Sequence, residues 1–185
     1  MTMKTTISTV SGEIQEVLAN VDESQAGNLA DQLKKAKRIF VSGEGRSGLM
    51  GKAFAMRLMH ASYNVYVTGE TITPNIEADD LLVVISGSGT TGSLKSFAEK
   101  AKEAGAAIAA VTTNPTSPIA ELSDSMLVIP AATKKRLPDE PATIQPLGNQ
   151  FDQSVHLLLD AVIIQAVSDQ EDSNEQMTAR HANLE

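Results

Sequence analysis

With 185 residues, 42% of them hydrophobic, the chain is long enough for one domain with a real core and cramped for two. It has no cysteine, which excludes a disulfide framework and thiolate chemistry, and His60, His156 and His181 lie too far apart for the short spacings of a zinc site, so no metal is expected. A formal net charge of -8 with scattered lysine and arginine argues against a nucleic-acid surface; the polar start, and the absence of any apolar run near the ~20 residues that span a bilayer, predict a cytoplasmic protein with a small-molecule partner.

From Ile7 to Ala36, apolar residues (Ile7, Val10, Ile14, Val17, Leu18, then Leu29, Ala30, Leu33) recur at steps of three and four, the helical period. Between them "NVDES" offers Asp22 or Ser24 as an N-cap, so two helices are predicted. Short apolar runs then alternate with helical stretches: "RIFVSG", a helix Gly48–His60, "NVYVTG", "DLLVVIS", a helix Ser93–Ala104, "AAIAAVTT", a turn of helix after Ser117, and "MLVIP". Parallel strands require such crossovers, and helices then cover both sheet faces. The predicted fold class is α/β, a three-layer α-β-α sandwich on a five-stranded parallel sheet.

A polar, proline-bearing connection follows over residues 131–148. Next comes "FDQSVHLLLDAVIIQAVS", apolar on nearly every face, so it is buried on most of its surface and part of it is expected to meet another subunit. By composition alone the closing "DQEDSNEQMTARHANLE" reads as a frayed tail.

Ligands of open parallel sheets bind beyond the carboxyl ends of the strands, where helix N-termini present free N–H groups. Two glycine-rich turns fall there. The first, "SGEGRSG", spells G-x-G-x-x-G across Gly43, Gly45 and Gly48, with Glu70 after the next strand. That is a dinucleotide fingerprint on paper, but glycine triplets at strand ends are common and no room is left for a substrate module. The second turn decides against it. Ser86, Gly87, Ser88, Gly89, Thr90 and Thr91 place hydroxyls and unhindered amides at a helix start, a nest suited to a phosphate monoester. No Gly-Lys-Ser/Thr follows, so it is not a nucleoside-triphosphate loop. The competing reading is a hydroxyl-capped helix with no ligand.

At these residues the chain resembles the sugar isomerase (SIS) domain family, whose members bind phosphosugars in an α-β-α sandwich of flavodoxin-like type. "GRSGLMGKAFAMRLMH", "TGETITP", "TIQPLGNQFDQS" and "RHANLE" are similar, nearly in register, to its 6-phospho-3-hexuloisomerases from about Ile39 onward. The resemblance implies a single domain over 1–185: N-terminal helices over 1–37, an α/β core over 38–167, and a C-terminal segment over 168–185 that closes a site. It implies interconversion of D-arabino-3-hexulose 6-phosphate and D-fructose 6-phosphate, as in formaldehyde fixation by the ribulose monophosphate route, in a homo-oligomer, a tetramer favoured. Its substrate contacts carry over onto Ser47 and onto Ser86 through Thr91, and its proton acceptor onto Asp152. Two positions depart: the family's usual glutamate is aspartate at 152 and threonine at 90. The aspartate side chain is shorter by ~1.5 Å, one carbon–carbon bond.

Moving a carbonyl from C3 to C2 needs a base that removes the C2 proton, a cis-enediol, and proton delivery to C3, with no cofactor. Asp152, in the first turn of the last long helix, suits the base, although an acid there is also ordinary helix chemistry. Donors for the developing enediolate are Arg46, His181 and backbone amides of the first turn. His181 lies in "RHANLE", so the resemblance recasts the tail as an ordered segment closing its own or a neighbour's site; an exposed tail histidine is the alternative. His60 reads as a packed or capping residue, His156 as a packing residue, and Glu44 and Glu70 as reserve bases. An isomerase for another phosphosugar, or a non-catalytic phosphosugar sensor, remain rival functions.

Overall fold

The computed structural model describes residues 1–170 and 173–184. Helix α1 (Met3–Ala19) and helix α2 (Glu23–Lys35) open the chain, each stopped at its N-terminus by a side-chain cap. The Thr2 hydroxyl accepts from the Thr5 amide at 3.2 Å, and the Asp22 carboxylate accepts from the Ser24 amide at 2.8 Å, so Asp22 is the cap that "NVDES" provides. Helix α2 buries Leu29, Ala30 and Leu33 against the sheet. Helix α1 buries Val17 alone.

The alternation that follows folds as a three-layer α/β sandwich. Strands β1 (Ile39–Gly43), β2 (Val65–Val67), β3 (Leu81–Ile85), β4 (Ala107–Thr112) and β5 (Ser125–Val128) form a parallel sheet in the order β2-β1-β3-β4-β5. Helices α3 (Gly45–His60), α4 (Gly92–Glu103), α5 (Pro118–Leu122), α6 (Asn149–Ala166) and α7 (Ser173–Ala179) complete it. Successive strand side chains point to opposite faces. Ile39, Val41, Leu81, Val83 and Ile85 therefore pack under α2, α3 and α6, and Phe40, Leu82 and Val84 pack under α4 and α5.

At its N-terminal edge the sheet is pinned by a buried ion pair. The Arg38 guanidinium forks onto both oxygens of Asp80, at 2.9 and 2.6 Å, and the Glu77 amide adds a third bond at 2.8 Å.

Helix α3 starts at Gly45, three residues before the position expected from periodicity, and Gly45 has a φ of 56°. The glycines are needed for packing: a Cβ on Gly48 would lie 2.6 Å from the Gly43 carbonyl oxygen. Close strand–helix approach thus accounts for Gly43 and Gly48, and the positive φ for Gly45, without a dinucleotide. The closing stretch is also more ordered than its composition suggests, since α7 forms there, packed along α3; positions 171, 172 and 185 of the expected site-closing segment lie outside the described residues. His156 corrects the packing assignment: it is half-exposed, its Nε2 3.9 Å from Asp160 Oδ2 one turn on, because it sits on the outer flank of α6. No helix among the described residues is long and apolar enough to cross a membrane.

Candidate active site

From β1 the chain runs outward to β2 and returns to β3 on the other side of β1. The carboxyl ends of β1 and β3 therefore flank the point where the strand order reverses, the usual ligand crevice of such sheets. Both glycine-rich turns open there, and a cleft of about 220 Å³ lies between them.

The turn after β3 is held from beneath. The Gly87 carbonyl accepts three bonds, from the Thr113 amide (3.1 Å), the Thr113 hydroxyl (2.8 Å) and the Thr112 hydroxyl (3.2 Å). Gly89 adopts a φ of 63°, and a Cβ there would sit 2.0 Å from Ser117 Oγ. Its amide donates to Ser86 Oγ at 3.2 Å, and its carbonyl accepts from the Ile119 amide at 3.1 Å. Capping one helix requires none of this bracing.

Helices α1, α2 and α5 are capped by the side chains of Thr2, Asp22 and Ser117. At the three N-termini that line the cleft, those of α3, α4 and α6, the N-cap residues Glu44, Thr91 and Gly148 make no side-chain cap bond. Amides without intrahelical partners and three positive dipole ends are left facing one space, the electrostatics an anion requires.

Asp152 enters the cleft from the first turn of α6 and is only 6% exposed. The Ser47 hydroxyl donates to its Oδ1 at 2.8 Å, and Arg46 Nε stands 3.7 Å from its Oδ2. Arg46 is itself held by a 2.6 Å bond from Nη1 to Asn149 Oδ1. Burial pushes the Asp152 carboxyl above the ordinary aspartate value, and the Ser47 bond and Arg46 charge only partly pull it back. The result is an ionisable carboxylate that is more basic than usual, beside a turn rich in hydroxyls and amides, an arrangement chemically able to accept a proton next to a bound anion.

The structure brings Ser47, Ser86, Gly87, Ser88, Thr91 and Asp152 onto one cleft. Gly89 is buried behind it against Ser117, and Arg46 braces Asp152. Thr90 is exposed, and its hydroxyl donates to Ser88 Oγ at 3.0 Å. Glu44 lines the cleft and accepts a hydrogen bond from Ser93, whereas Glu70 lines another cavity with Phe97 and Lys100. His181 is not brought to Asp152 within the protomer. Its ring stacks on buried His60, with centroids 5.4 Å apart, at the far end of a 16-residue helix that runs roughly 24 Å from the cleft.

Sequence reasoning missed Thr133, Lys134 and Lys135 of the 131–148 connection, together with Leu147 and Phe151, all of which line the cleft. The dibasic "KK" inside a polar loop was the available signal. Phe151 explains one glycine, since a Cβ on Gly87 would lie 3.2 Å from its ring.

Residues 32–143 match the SIS domain model. The chain is 46% identical to a 3-hexulose-6-phosphate isomerase of Mycobacterium gastri, over 97% of this chain and 89% of that one. It is 40% identical to the protein of that name from Bacillus subtilis, over 99% and 100% of the two chains. It also superimposes on the crystal structure of a Methanococcus jannaschii protein for which a 3-hexulose-6-phosphate isomerase function was inferred. That likeness has a TM-score of 0.84 at 34% identity and covers 97% of this chain and 98% of the other.

Proposed function

The chain belongs to the SIS domain family, and from that premise we propose that it is a sugar-phosphate ketose isomerase, interconverting D-arabino-3-hexulose 6-phosphate and D-fructose 6-phosphate in the ribulose monophosphate route. One observation carries the reading: an anion nest at Ser86–Thr91 and a buried carboxylate at Asp152 line the same small cleft.

In this reading the phosphate rests on the turn Ser86–Thr91, met by the hydroxyls and amides of Ser86, Gly87, Ser88 and Thr91 and shaped from behind by Gly89 and Thr90, with Ser47 and Arg46 beside the sugar. Asp152 removes the proton from C2 while O3 takes one from solvent, which gives the cis-enediol. O2 then returns its proton to solvent and the acid form of Asp152 delivers one to C3, completing the exchange of carbonyl and hydroxyl. Ser47 and Arg46 keep the side chain aimed throughout and favour its ionised form at the start of each turnover. Phosphate on O6 blocks closure of a five-membered ring onto a C3 ketone, so the 3-hexulose is held open-chain.

We assign the whole chain to one domain: helices over 1–37, a core over 38–167, and a closing segment over 168–185. We further propose a cytoplasmic homo-oligomer, a tetramer favoured. Support for association comes from exposed Leu49, Met56 and Met59 on α3 and Leu157 and Ile164 on α6, helices that pack against each other and so present a joined apolar face. In this reading His181, far from Asp152 within the protomer, serves the site of a neighbouring subunit.

The deciding assay couples purified protein to formation of fructose 6-phosphate from 3-hexulose 6-phosphate, beside a panel of sedoheptulose and arabinose phosphates. Turnover restricted to the 3-hexulose is expected. Preference for another member of the panel moves the substrate, and binding without turnover of any member leaves a sensor.

A further inference from the structure

Residues 131–148 connect β5 to α6 and carry three consecutive basic residues, Lys134, Lys135 and Arg136. The segment has no regular structure, yet carboxylates and amides tie it down at both ends. Glu140 accepts from the Thr133 amide at 2.9 Å, from the Thr133 hydroxyl, and from the Leu137 amide at 3.2 Å. Gln150 Oε1 accepts from the Ala132 amide at 2.7 Å. Glu13, on α1, accepts from the Thr143 hydroxyl at 2.6 Å, the Ile144 amide at 2.8 Å and Gln145 Nε2 at 2.9 Å. Burial resists ionisation of both glutamates, but the hydrogen bonds outweigh it and hold each below its ordinary value.

The three basic side chains are used differently. The Arg136 guanidinium donates to the carbonyls of Thr133 and Gln145, inside the segment itself. Lys134 and Lys135 both line the cleft, and neither ammonium forms an ion pair among the described residues. The cleft lacks such a charge otherwise. Its nest offers only neutral donors, Arg46 is engaged by Asp152 and Asn149, and Glu44 adds a negative group. A phosphate monoester carries close to two negative charges at neutral pH, and against it the cleft otherwise sets the partial charges of three helix N-termini and no unengaged full cation among the described residues.

We propose that Lys134 and Lys135 are substrate-binding residues that supply the counter-charge to the phosphate, and that Glu13 and Glu140 are positioning residues holding their strap against the cleft. The proposal deepens the phosphosugar reading and rests on it. It also gives α1 a task its packing does not explain, since that helix buries a single residue yet clasps the strap through Glu13. Lysine suits the role: a mobile point charge can follow the phosphate while the sugar carbons rearrange.

The test uses the intact protein, with inorganic phosphate and fructose 6-phosphate titrated by calorimetry and steady-state kinetics run beside them. Removing two charge-assisted contacts in Lys134→Gln/Lys135→Gln is expected to raise KM and both Kd values by about tenfold or more, with kcat changed less than about threefold because the base is untouched. Glu13→Gln is expected to raise KM and phosphate Kd in the same sense, and to add no further loss when combined with the lysine changes, because it acts through them. A general loss of structure would instead lower kcat and thermal stability in every background. Unchanged phosphate affinity in the lysine double variant overturns the proposal, as does a parent protein that binds no phosphate. A parent that binds phosphate but turns over no sugar defeats the isomerase reading alone, and the Kd comparison still decides the lysines.

Discussion

Ser47 and Asp152 stand 105 residues apart in the chain and meet through a 2.8 Å hydrogen bond from the serine hydroxyl to the aspartate carboxylate. The bond joins the first turns of α3 and α6 and stabilises the ionised form of an acid that burial otherwise raises. A base must be deprotonated to act, so kcat/KM should fall as pH drops through this elevated value. Ser47→Ala removes a group that lowers it, and the acidic limb of the profile should move to higher pH. A limb that stays in place, or moves lower, detaches Asp152 from the proton transfer.

Replacing Asp152 by asparagine keeps the shape and removes the acceptor. Incorporation of solvent deuterium at C2 and C3 should fall by about a thousandfold, within the range general-base loss produces. Calorimetric phosphate affinity should stay within about twofold, since the anion nest is untouched. Asp152→Glu keeps a carboxylate and should hold turnover within about tenfold of the parent. Proton exchange that survives the asparagine change would reassign the base to Glu44, which shares the cleft.

Gly89→Ala strikes the turn after β3, the proposed phosphate site, from behind. The new Cβ would meet Ser117 Oγ at 2.0 Å and Ser117 Cβ at 2.4 Å, at a φ of 63°. Strain and overpacking together should destabilise the fold by about 2–4 kcal/mol, read by denaturant unfolding. Phosphate affinity should fall as the turn is displaced. Full stability and full affinity together would mean that the turn is more compliant than its bracing suggests.

Asp80 marks the opposite edge of the sheet. Burial disfavours its charge, but the bonds from Arg38 and from the Glu77 amide outweigh that and lower its pKa. A depressed carboxyl contributes stability that is fully present above its ordinary, unfolded-chain value and is lost as pH falls through the depressed one. Asp80→Ala should therefore lower the melting temperature by roughly 5–15 °C and flatten the acid limb of the stability curve. Since the pair lies away from the cleft, kcat/KM at permissive temperature should hold.

If His181 serves a neighbour's site, subunits of Asp152→Asn and His181→Ala should complement each other. Random pairing of two inactive variants restores one intact site in two within mixed dimers, or about a quarter of all sites. Co-refolded mixtures should approach that fraction of parental turnover. Activity no higher than the two variants kept apart would return His181 to its stack on His60 within the protomer.

Much of this architecture was legible because it follows from local periodicity and chain order. Apolar runs of strand length separated by helical stretches specify crossovers, and parallel pairing of β1 with β3 places Gly43 opposite Ile85, so that both turns open on the same edge. Asp22 as a cap, the hydroxyl-rich turn and the carboxylate at 152 could likewise be named from the chain. The start of α3 could not, because three glycines conceal a helix that begins at Gly45 under a packing demand from Gly43. The strap lysines are not legible as cleft residues, because a dibasic pair in a polar loop looks the same whether it meets solvent or a ligand cleft. Nor is the outward placement of His156, because near-uniform apolar character along α6 hides which flank faces outward.

The sequence by itself determined the kinds of element, their order and the chemical groups on offer, since backbone propensity and side-chain chemistry are properties of neighbouring residues. Only the tertiary structure decided which groups meet. Ser47 on Asp152, Glu13 on the strap and His181 on His60 depend on how helices pack over a sheet, and packing sets distances between residues that the chain keeps far apart.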